Sequence, residues 1–127
     1  MEVGSMFYER AKRGDFSIIA GPCVFESRQH MDDMVGWIEE VAVAYNINWI
    51  YKTSFDKANR SSNLGYRGKG IDEAIYAFQD HITQGLEIIT DVHEPWQCGG
   101  VLPVSMLQIP AFLCRQTDLL QAAAESG

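Results

Sequence analysis

Short apolar runs alternate along this chain with longer segments in which apolar residues recur every three or four positions. An apolar run bounded by turn-forming residues is typical of a buried strand. Four segments fit this description: residues 17 to 20, 48 to 53, 87 to 91 and 105 to 109. The first of them, SIIA, is followed by Gly21-Pro22, a turn signal.

Three longer segments have the period of an amphipathic helix. The first carries a stripe that we interpret as core packing, formed by Met31, Met34, Val35, Ile38, Val41, Ala42 and Tyr45. The second consists of Ile71, Ala74, Ile75, Phe78 and Ile82, and Gly85 suits its C-terminal end. The third begins near Thr117, a suitable N-cap residue, and continues through DLLQAAAE.

The segment from 96 to 106, WQCGGVLPVSM, predicts only a short or irregular helix. Gly99 and Gly100 each cost a helix about 1 kcal/mol relative to alanine, and Pro103 ends it.

Alternating strands and helices predict parallel strands joined by right-handed crossovers, and four such units are visible. With 127 residues and 46% hydrophobic content, the chain has the size of one domain. In sheets and barrels of this kind the ligand binds at the carboxyl ends of the strands. The residues expected there are Cys23, residues 52 to 62, Asp91 with His93, and residues 108 to 111.

The basic residues are unevenly distributed in an acidic protein of net charge −7. That balance argues against a nucleic-acid surface, which depends on basic contacts to phosphates. Five of the ten basic residues nevertheless lie between positions 51 and 70, namely Lys52, Lys57, Arg60, Arg67 and Lys69. With their neighbouring hydroxyl groups they are suited to holding a phosphate or a carboxylate, although a solvated loop remains the alternative interpretation.

Asp91 and His93 lie two residues apart just after a strand. They could hydrogen-bond sugar hydroxyls or move a proton, or Asp91 could instead cap backbone groups in a turn. The other histidines, His30 and His81, fall within helices beside polar residues and are predicted at the surface.

Three cysteines, Cys23, Cys98 and Cys114, form neither a CxxC motif nor an even set, so no disulfide framework or complete zinc site is indicated. Each is expected to be a buried thiol, and Cys23 has the alternative of a metal thiolate. No apolar run approaches the roughly 20 residues of a membrane helix, and the N-terminus lacks the apolar core of a secretory signal. We therefore expect a cytoplasmic protein that does not bind membranes.

Five motifs together resemble the N-terminal half of the 3-deoxy-D-manno-octulosonate 8-phosphate synthase family. They are GPCVFES at 21 to 27, YKTSFDKANRSS at 51 to 62, YRGKG at 66 to 70, TDVHEP at 90 to 95 and QIPAFLCRQTDLL at 108 to 120. The resemblance implies a TIM (β/α)8 barrel, of which residues 17 to 127 supply βα units one to four after an N-terminal extension at 1 to 16.

The resemblance also implies an activity. Members of the family are transferases that condense phosphoenolpyruvate with D-arabinose 5-phosphate and water, giving 3-deoxy-D-manno-octulosonate 8-phosphate and phosphate for lipopolysaccharide (Kdo) biosynthesis. It assigns phosphoenolpyruvate binding to Lys52, Ser54, Lys57, Gln108 and the backbone amide of Ala111. Asn59, Arg60 and Ser61 would bind the sugar phosphate. Lys57, Asn59, Asp91 and His93 would be the catalytic residues.

The family divides into members with Asn and members with Cys at the position of Cys23, and those with Cys bind a divalent metal. The resemblance therefore places this chain in the metal-dependent class, with zinc, iron or manganese held partly by Cys23. Arg115 would reach the sugar phosphate in a neighbouring subunit, which implies a homo-oligomer, a tetramer in the family.

Four βα units are half of a closed barrel, so the 127 residues by themselves are expected to be inactive and to self-associate through open sheet edges. Two alternatives remain open. One is a heptulosonate phosphate synthase, which would use erythrose 4-phosphate, and the other is a non-catalytic anion-binding half-barrel.

Overall fold

The structure is a computed structural model, and it describes residues 5 to 56, 71 to 100 and 104 to 127. Its helices are α1 (Met6–Lys12), α2 (Arg28–Ala44), α3 (Ile71–Thr83), α4 (Pro95–Gly100) and α5 (Thr117–Glu125). Its strands are β1 (Ser17–Ala20), β2 (Asn48–Lys52), β3 (Ile88–Asp91) and β4 (Met106–Gln108), and a 3-10 turn (Ala111–Leu113) follows β4.

The four strands form one parallel sheet in the order β1-β2-β3-β4. Each strand therefore pairs with its neighbour along the chain, and a helix follows each strand. This is the repeated βα unit that the sequence predicts, and it is an α/β fold consistent with part of a TIM barrel.

The two faces of the sheet bury different sets of side chains, because successive residues of a strand point to opposite sides. On the first side, which we call the inner face, Ile50, Ile89 and Met106 pack with Phe7 of α1. On the other side, Tyr51 and Ile88 belong to the main core, whose helical residues include Met31 of α2, Phe78 of α3 and Leu119 of α5.

The stripe predicted for α2 is only partly buried. Met31, Val35 and Ala42 belong to the core, whereas Val41 and Tyr45 are 51% and 77% exposed. A helix that packs on a sheet buries one face, and Val41 and Tyr45 lie with Trp37 on a separate stripe at i, i+4 and i+8 that faces outward. The prediction was therefore wrong for Val41 and Tyr45.

His81 is buried and does not lie at the surface as predicted. Its Nε2 atom lies 2.7 Å from Oδ1 of Asp32 in α2, and Arg28 contacts both Asp32 and Asp80. These charged groups join α2 to α3. The partner of His81 comes from a different helix, which the pattern of α3 alone cannot reveal.

The helix ends differ in part from their prediction. Gly85 has φ of 94°, a backbone conformation suited to glycine at a helix stop, as predicted. Thr117 is the first residue of α5 rather than its N-cap, because Gln116 occupies the cap position. Helix α4 has only six residues, as the glycines of this segment predict.

Helix α1 was not predicted, and it lies in the segment expected to be an N-terminal extension. The hydroxyl group of Ser5 accepts a hydrogen bond from Tyr8 N at 3.2 Å, so Ser5 caps this helix. The Glu87 carboxylate, just before β3, accepts from Ser5 Oγ and from Phe7 N. These contacts attach α1 to the amino-terminal edge of the sheet.

Within the three ranges that the structure describes, none of the helices is both long and apolar enough to cross a membrane.

Candidate active site

Polar residues predicted at the carboxyl ends of the strands share the inner face of the sheet. Lys52 follows Ile50 by two residues, Asp91 follows Ile89 by two, and Gln108 follows Met106 by two. Because the side-chain period of a strand is two, these three polar residues lie on the same face as the apolar ones. In the register of the sheet, Lys52 pairs with Ile89 and Asp91 pairs with Gln108.

Asp91 is the centre of this arrangement. Its Oδ1 atom accepts a hydrogen bond from Ser54 Oγ, and its Oδ2 atom lies 3.1 Å from Nε2 of His93. Burial opposes the charged form, but His93, Ser54 and the backbone amide of Asp91 together hold the pKa of the carboxyl below its ordinary value. The site therefore contains a buried residue that favours the carboxylate form.

The His93 side chain is only 5% exposed. Its ring is not aligned for a hydrogen bond to Asp91, and neither ring nitrogen has a hydrogen-bond partner among the described residues. The ring meets Phe55 edge-on, with 6.4 Å between centroids. Oε1 of Gln108 is likewise buried with no partner in the described part of the chain. Since buried polar groups are usually hydrogen-bonded, these atoms are candidates for contacts to a ligand.

The loop after β1 is attached to the same edge of the sheet. Val24 forms an isolated parallel bridge with Ser54, and Phe25 N donates to Ser54 O at 2.7 Å. Gly21 lies so close to β2 that a Cβ atom there would be 1.9 Å from the Lys52 carbonyl oxygen. These backbone contacts bring Cys23 to the neighbourhood of Ser54.

The cysteines differ from the expectation of three buried thiols. Cys98 is buried, and its burial raises the pKa of the thiol, whereas Cys23 and Cys114 are exposed. The exposed thiol of Cys23, near the carboxyl ends of the strands, is chemically suited to be one ligand of a metal ion. Residues 5 to 56, 71 to 100 and 104 to 127 contain no group of three or more His, Cys, Asp or Glu that could hold a metal ion.

The other predicted site residues fall into two groups. Ala111 begins the 3-10 turn directly after β4, and Arg115 is exposed just beyond that turn. Lys57, Asn59, Arg60 and Ser61 lie outside the described residues, as do Arg67 and Lys69.

Sequence reasoning missed Gln97, which supports the segment containing His93. Oε1 of Gln97 accepts from the backbone amides of His93 and Glu94 at 2.7 and 3.0 Å. A signal was present, because Gln at the third position of a helix often bonds back to the amide that precedes the helix.

The parallel βα units and the polar carboxyl ends of the strands define an α/β protein, consistent with part of a TIM barrel, with a candidate active site at those strand ends. The model of the DAHP synthetase I family matches residues 10–127, and the chain belongs to this family.

Relatives named 2-dehydro-3-deoxyphosphooctonate aldolase align with all or most of the chain. The protein from Fusobacterium nucleatum is 50% identical over 129 aligned positions, which cover 100% of this chain and 46% of the relative. The one from Nitrobacter winogradskyi is 49% identical, with 100% and 44% covered. The one from Nitrobacter hamburgensis is 54% identical over 113 positions, with 87% and 39% covered. The resemblance to the 3-deoxy-D-manno-octulosonate 8-phosphate synthase family is confirmed by these relatives. The chain spans less than half of their length.

Proposed function

We propose that this chain contributes to the active site of a cytoplasmic enzyme that condenses phosphoenolpyruvate with D-arabinose 5-phosphate and water. The products are 3-deoxy-D-manno-octulosonate 8-phosphate and inorganic phosphate, for lipopolysaccharide (Kdo) biosynthesis. The observation that supports this proposal most directly is the alignment of Lys52, Asp91 and Gln108 on the inner face at the carboxyl ends of three strands. The printed names of the relatives support the choice of reaction.

The phosphoenolpyruvate side of the site would be formed around Lys52. Its ammonium group supplies positive charge for a carboxylate or phosphate. Gln108 is the polar residue of β4 on the same face, and its Oε1 atom, which has no partner in the described part of the chain, can accept a hydrogen bond. The backbone amide of Ala111, Ser54 and Lys57 would complete the set. Ser54 would do so while its hydroxyl group holds Asp91 in place.

The sugar phosphate would be bound by Asn59, Arg60 and Ser61, with its aldehyde near Asp91 and His93. The enol carbon of phosphoenolpyruvate attacks the aldehyde carbon, and the aldehyde oxygen takes a proton. Water adds to the resulting cationic carbon and loses its proton, and phosphate leaves by cleavage of the carbon–oxygen bond. Lys57 and Asn59 would act beside the reacting atoms. His93 would give or take a proton at a ring nitrogen that has no hydrogen-bond partner among the described residues, and the Asp91 carboxylate lies 3.1 Å from its Nε2 atom.

A divalent metal such as zinc, iron or manganese would be held partly by the Cys23 thiolate and would act as a Lewis acid when bound. The exposure of Cys23 and the attachment of its loop to Ser54 support this part of the proposal. Its remaining ligands would come from outside the described residues.

The proposed enzyme is a homo-oligomer, a tetramer by analogy with its family, in which Arg115 contacts the sugar phosphate bound to a neighbouring subunit. The exposed position of Arg115 beyond the turn after β4 supports this role.

A heptulosonate phosphate synthase is the second candidate, because the matching family is described by that activity. It would condense the same enol donor with erythrose 4-phosphate. The names of the relatives that align with the whole chain favour the octulosonate product.

The test is an assay of phosphate release by the protein expressed from its natural gene. We expect release from phosphoenolpyruvate only when D-arabinose 5-phosphate is present, and a kcat/KM at least about tenfold lower with erythrose 4-phosphate, since poorly positioned substrates lose transition-state binding. Preference for erythrose 4-phosphate would establish the second candidate. Phosphate binding without turnover of either pair would instead establish a non-catalytic anion-binding protein.

Replacing Cys23 with serine tests the metal proposal. Because loss of even an outer contact of a metal site lowers affinity roughly 10- to 100-fold, loss of a direct ligand should cost at least about as much. We expect Cys23→Ser to lose its metal during dialysis and Cys114→Ser, which changes another exposed cysteine, to keep it. Metal content is measured by elemental analysis. Equal metal content in the two variants would contradict the role of Cys23.

A further inference from the structure

Gln97 connects the segment that follows β3 to the beginning of α4. It is 5% exposed and belongs to α4, and its side-chain oxygen accepts hydrogen bonds from two successive backbone amides, His93 at 2.7 Å and Glu94 at 3.0 Å. The Oε1 atom can accept both because a carbonyl oxygen has two lone pairs.

The bond to Glu94 is an ordinary helix cap. Gln97 is the third residue of α4, and Glu94 immediately precedes Pro95, the first. A Gln in that position commonly bonds to the amide of the residue before the helix. The additional bond to His93 is not required for capping. It also links Gln97 to His93, the residue whose ring lies beside Asp91.

Other restraints on His93 come from the end of β3 and from the surroundings of its buried ring. Strand β3 ends at Asp91, and the ladder continues for one more bond, from Val92 N to Gln108 O at 3.2 Å. Beyond that point the ring has the edge contact to Phe55 and the 3.1 Å approach to Asp91, which is not aligned as a hydrogen bond. The bond from its backbone amide to Gln97 is therefore a direct hydrogen-bond restraint on His93 itself.

We propose that Gln97 is a positioning residue that holds His93 against Asp91 so that its ring can exchange a proton with the substrate. This inference rests on the proposed function for its chemistry, but the restraint itself can be measured without a substrate. Without Gln97, the backbone at His93 gains freedom, and a proton donor or acceptor displaced by about 1 Å can lose up to roughly 100-fold in rate.

Two variants of the full protein distinguish the effect of the hydrogen-bond acceptor of Gln97 from the effect of its volume. Gln97→Met keeps a similar length and volume but removes the acceptor, whereas Gln97→Glu keeps an acceptor, also favoured in this cap. We expect Gln97→Met to lower kcat by about tenfold, with KM for both substrates changed by less than about threefold. Gln97→Glu should recover most of that loss.

The matched control is Ser5→Ala, which also removes a cap but lies at the opposite, amino-terminal edge of the sheet. It should lower the melting temperature by a similar amount and leave kcat unchanged. Hydrogen–deuterium exchange, measured by mass spectrometry on peptides covering residues 92 to 98, should be about fivefold faster in Gln97→Met, since a hydrogen bond contributes roughly 1 kcal/mol. Exchange should be near the wild-type rate in Gln97→Glu.

Unchanged exchange in Gln97→Met would overturn the proposal, because it would show that Gln97 does not restrain the segment. Faster exchange with unchanged kcat, or an equal loss of kcat in Ser5→Ala, would overturn it as well. If the unmodified protein does not turn over the proposed substrates, the proposed function fails. The exchange rates then still decide whether Gln97 holds His93.

Discussion

Replacing Asp91 with asparagine is expected to lower kcat by roughly 100-fold or more, because general acid–base groups typically contribute 100- to 10,000-fold. The substitution keeps the size of the side chain and an oxygen that can accept from Ser54, so the loop should stay in place. It removes the negative charge that lies 3.1 Å from His93 Nε2. The proposed proton transfer at the sugar aldehyde would then lack the carboxylate that lies beside His93, which should slow the reaction.

The expected effect falls on kcat because the proposed function puts Asp91 near the reacting end of the sugar rather than among the cations for phosphoenolpyruvate. KM for phosphoenolpyruvate should change little. Steady-state phosphate release at varied concentrations of each substrate measures both constants. A kcat within about threefold of the unmodified protein would show that Asp91 has no catalytic role.

Asp15→Asn is the matched control. Asp15 is also a carboxylate whose pKa is lowered, in its case by hydrogen bonds from Arg10 and Arg13. It lies before β1, at the amino-terminal edge of the sheet, far from the candidate site along the strand direction. Asp15→Asn should therefore leave kcat unchanged. A loss similar to that of Asp91→Asn would mean that the charge change acts through the stability of the whole protein.

Acid unfolding offers an independent measurement on Asp91. Because its pKa is lower in the folded protein than in the unfolded chain, the carboxylate contributes stability above the ordinary carboxyl pKa of about 4. This contribution is lost as the pH falls through the folded-state pKa. The asparagine variant should show a weaker dependence of unfolding free energy on pH in that acid range.

The elements of the fold could be predicted from the sequence because their signals are local. The four apolar runs became the four strands, each within two residues of its predicted limits. The alternation with helices was enough to predict parallel pairing. The helix pattern failed where burial depends on a neighbour, since the exposed stripe of α2 depends on how that helix packs on the sheet and the burial of His81 depends on its contact with α2.

The residues of the candidate site could be predicted from the sequence, but the hydrogen bonds between them could not. Fold class places Lys52, Asp91 and Gln108 at carboxyl ends, and the side-chain period of two then puts them on one face. The bond from Ser54 to Asp91 joins residues 37 positions apart in the chain, which no sequence pattern reports. Gln97 had a local signal, but its bond to His93 goes beyond the usual cap.

Gly21 shows most clearly what the sequence could not reveal. Gly21-Pro22 predicts a turn, and a turn would explain the glycine by its conformational freedom. Its φ is not among the positive values of the described glycines, so freedom is not the reason. The reason is the close approach of β2, whose Lys52 backbone leaves no room for a side chain at this position.

Replacing Gly21 with alanine should therefore destabilise the protein by more than the roughly 1–3 kcal/mol that is usual for overpacking. The added Cβ atom would lie 1.9 Å from the Lys52 carbonyl oxygen and 2.8 Å from its carbonyl carbon. Both atoms belong to the backbone and cannot rotate away, so the end of β1 must separate from β2. That movement displaces Cys23 relative to Lys52, and we expect loss of activity in whatever protein remains folded.

Gly36→Ala is the same chemical change in the interior of α2, where an added Cβ meets no atom within 4 Å. There the substitution should stabilise by about 0.5–1 kcal/mol, because alanine has less backbone freedom to lose than glycine in a helix. Thermal and denaturant unfolding of the two variants should thus shift in opposite directions. If Gly21→Ala were as stable as the unmodified protein, the close contact between the β1 loop and Lys52 would be wrong. The loop that carries Cys23 would then not be held at the site by this contact.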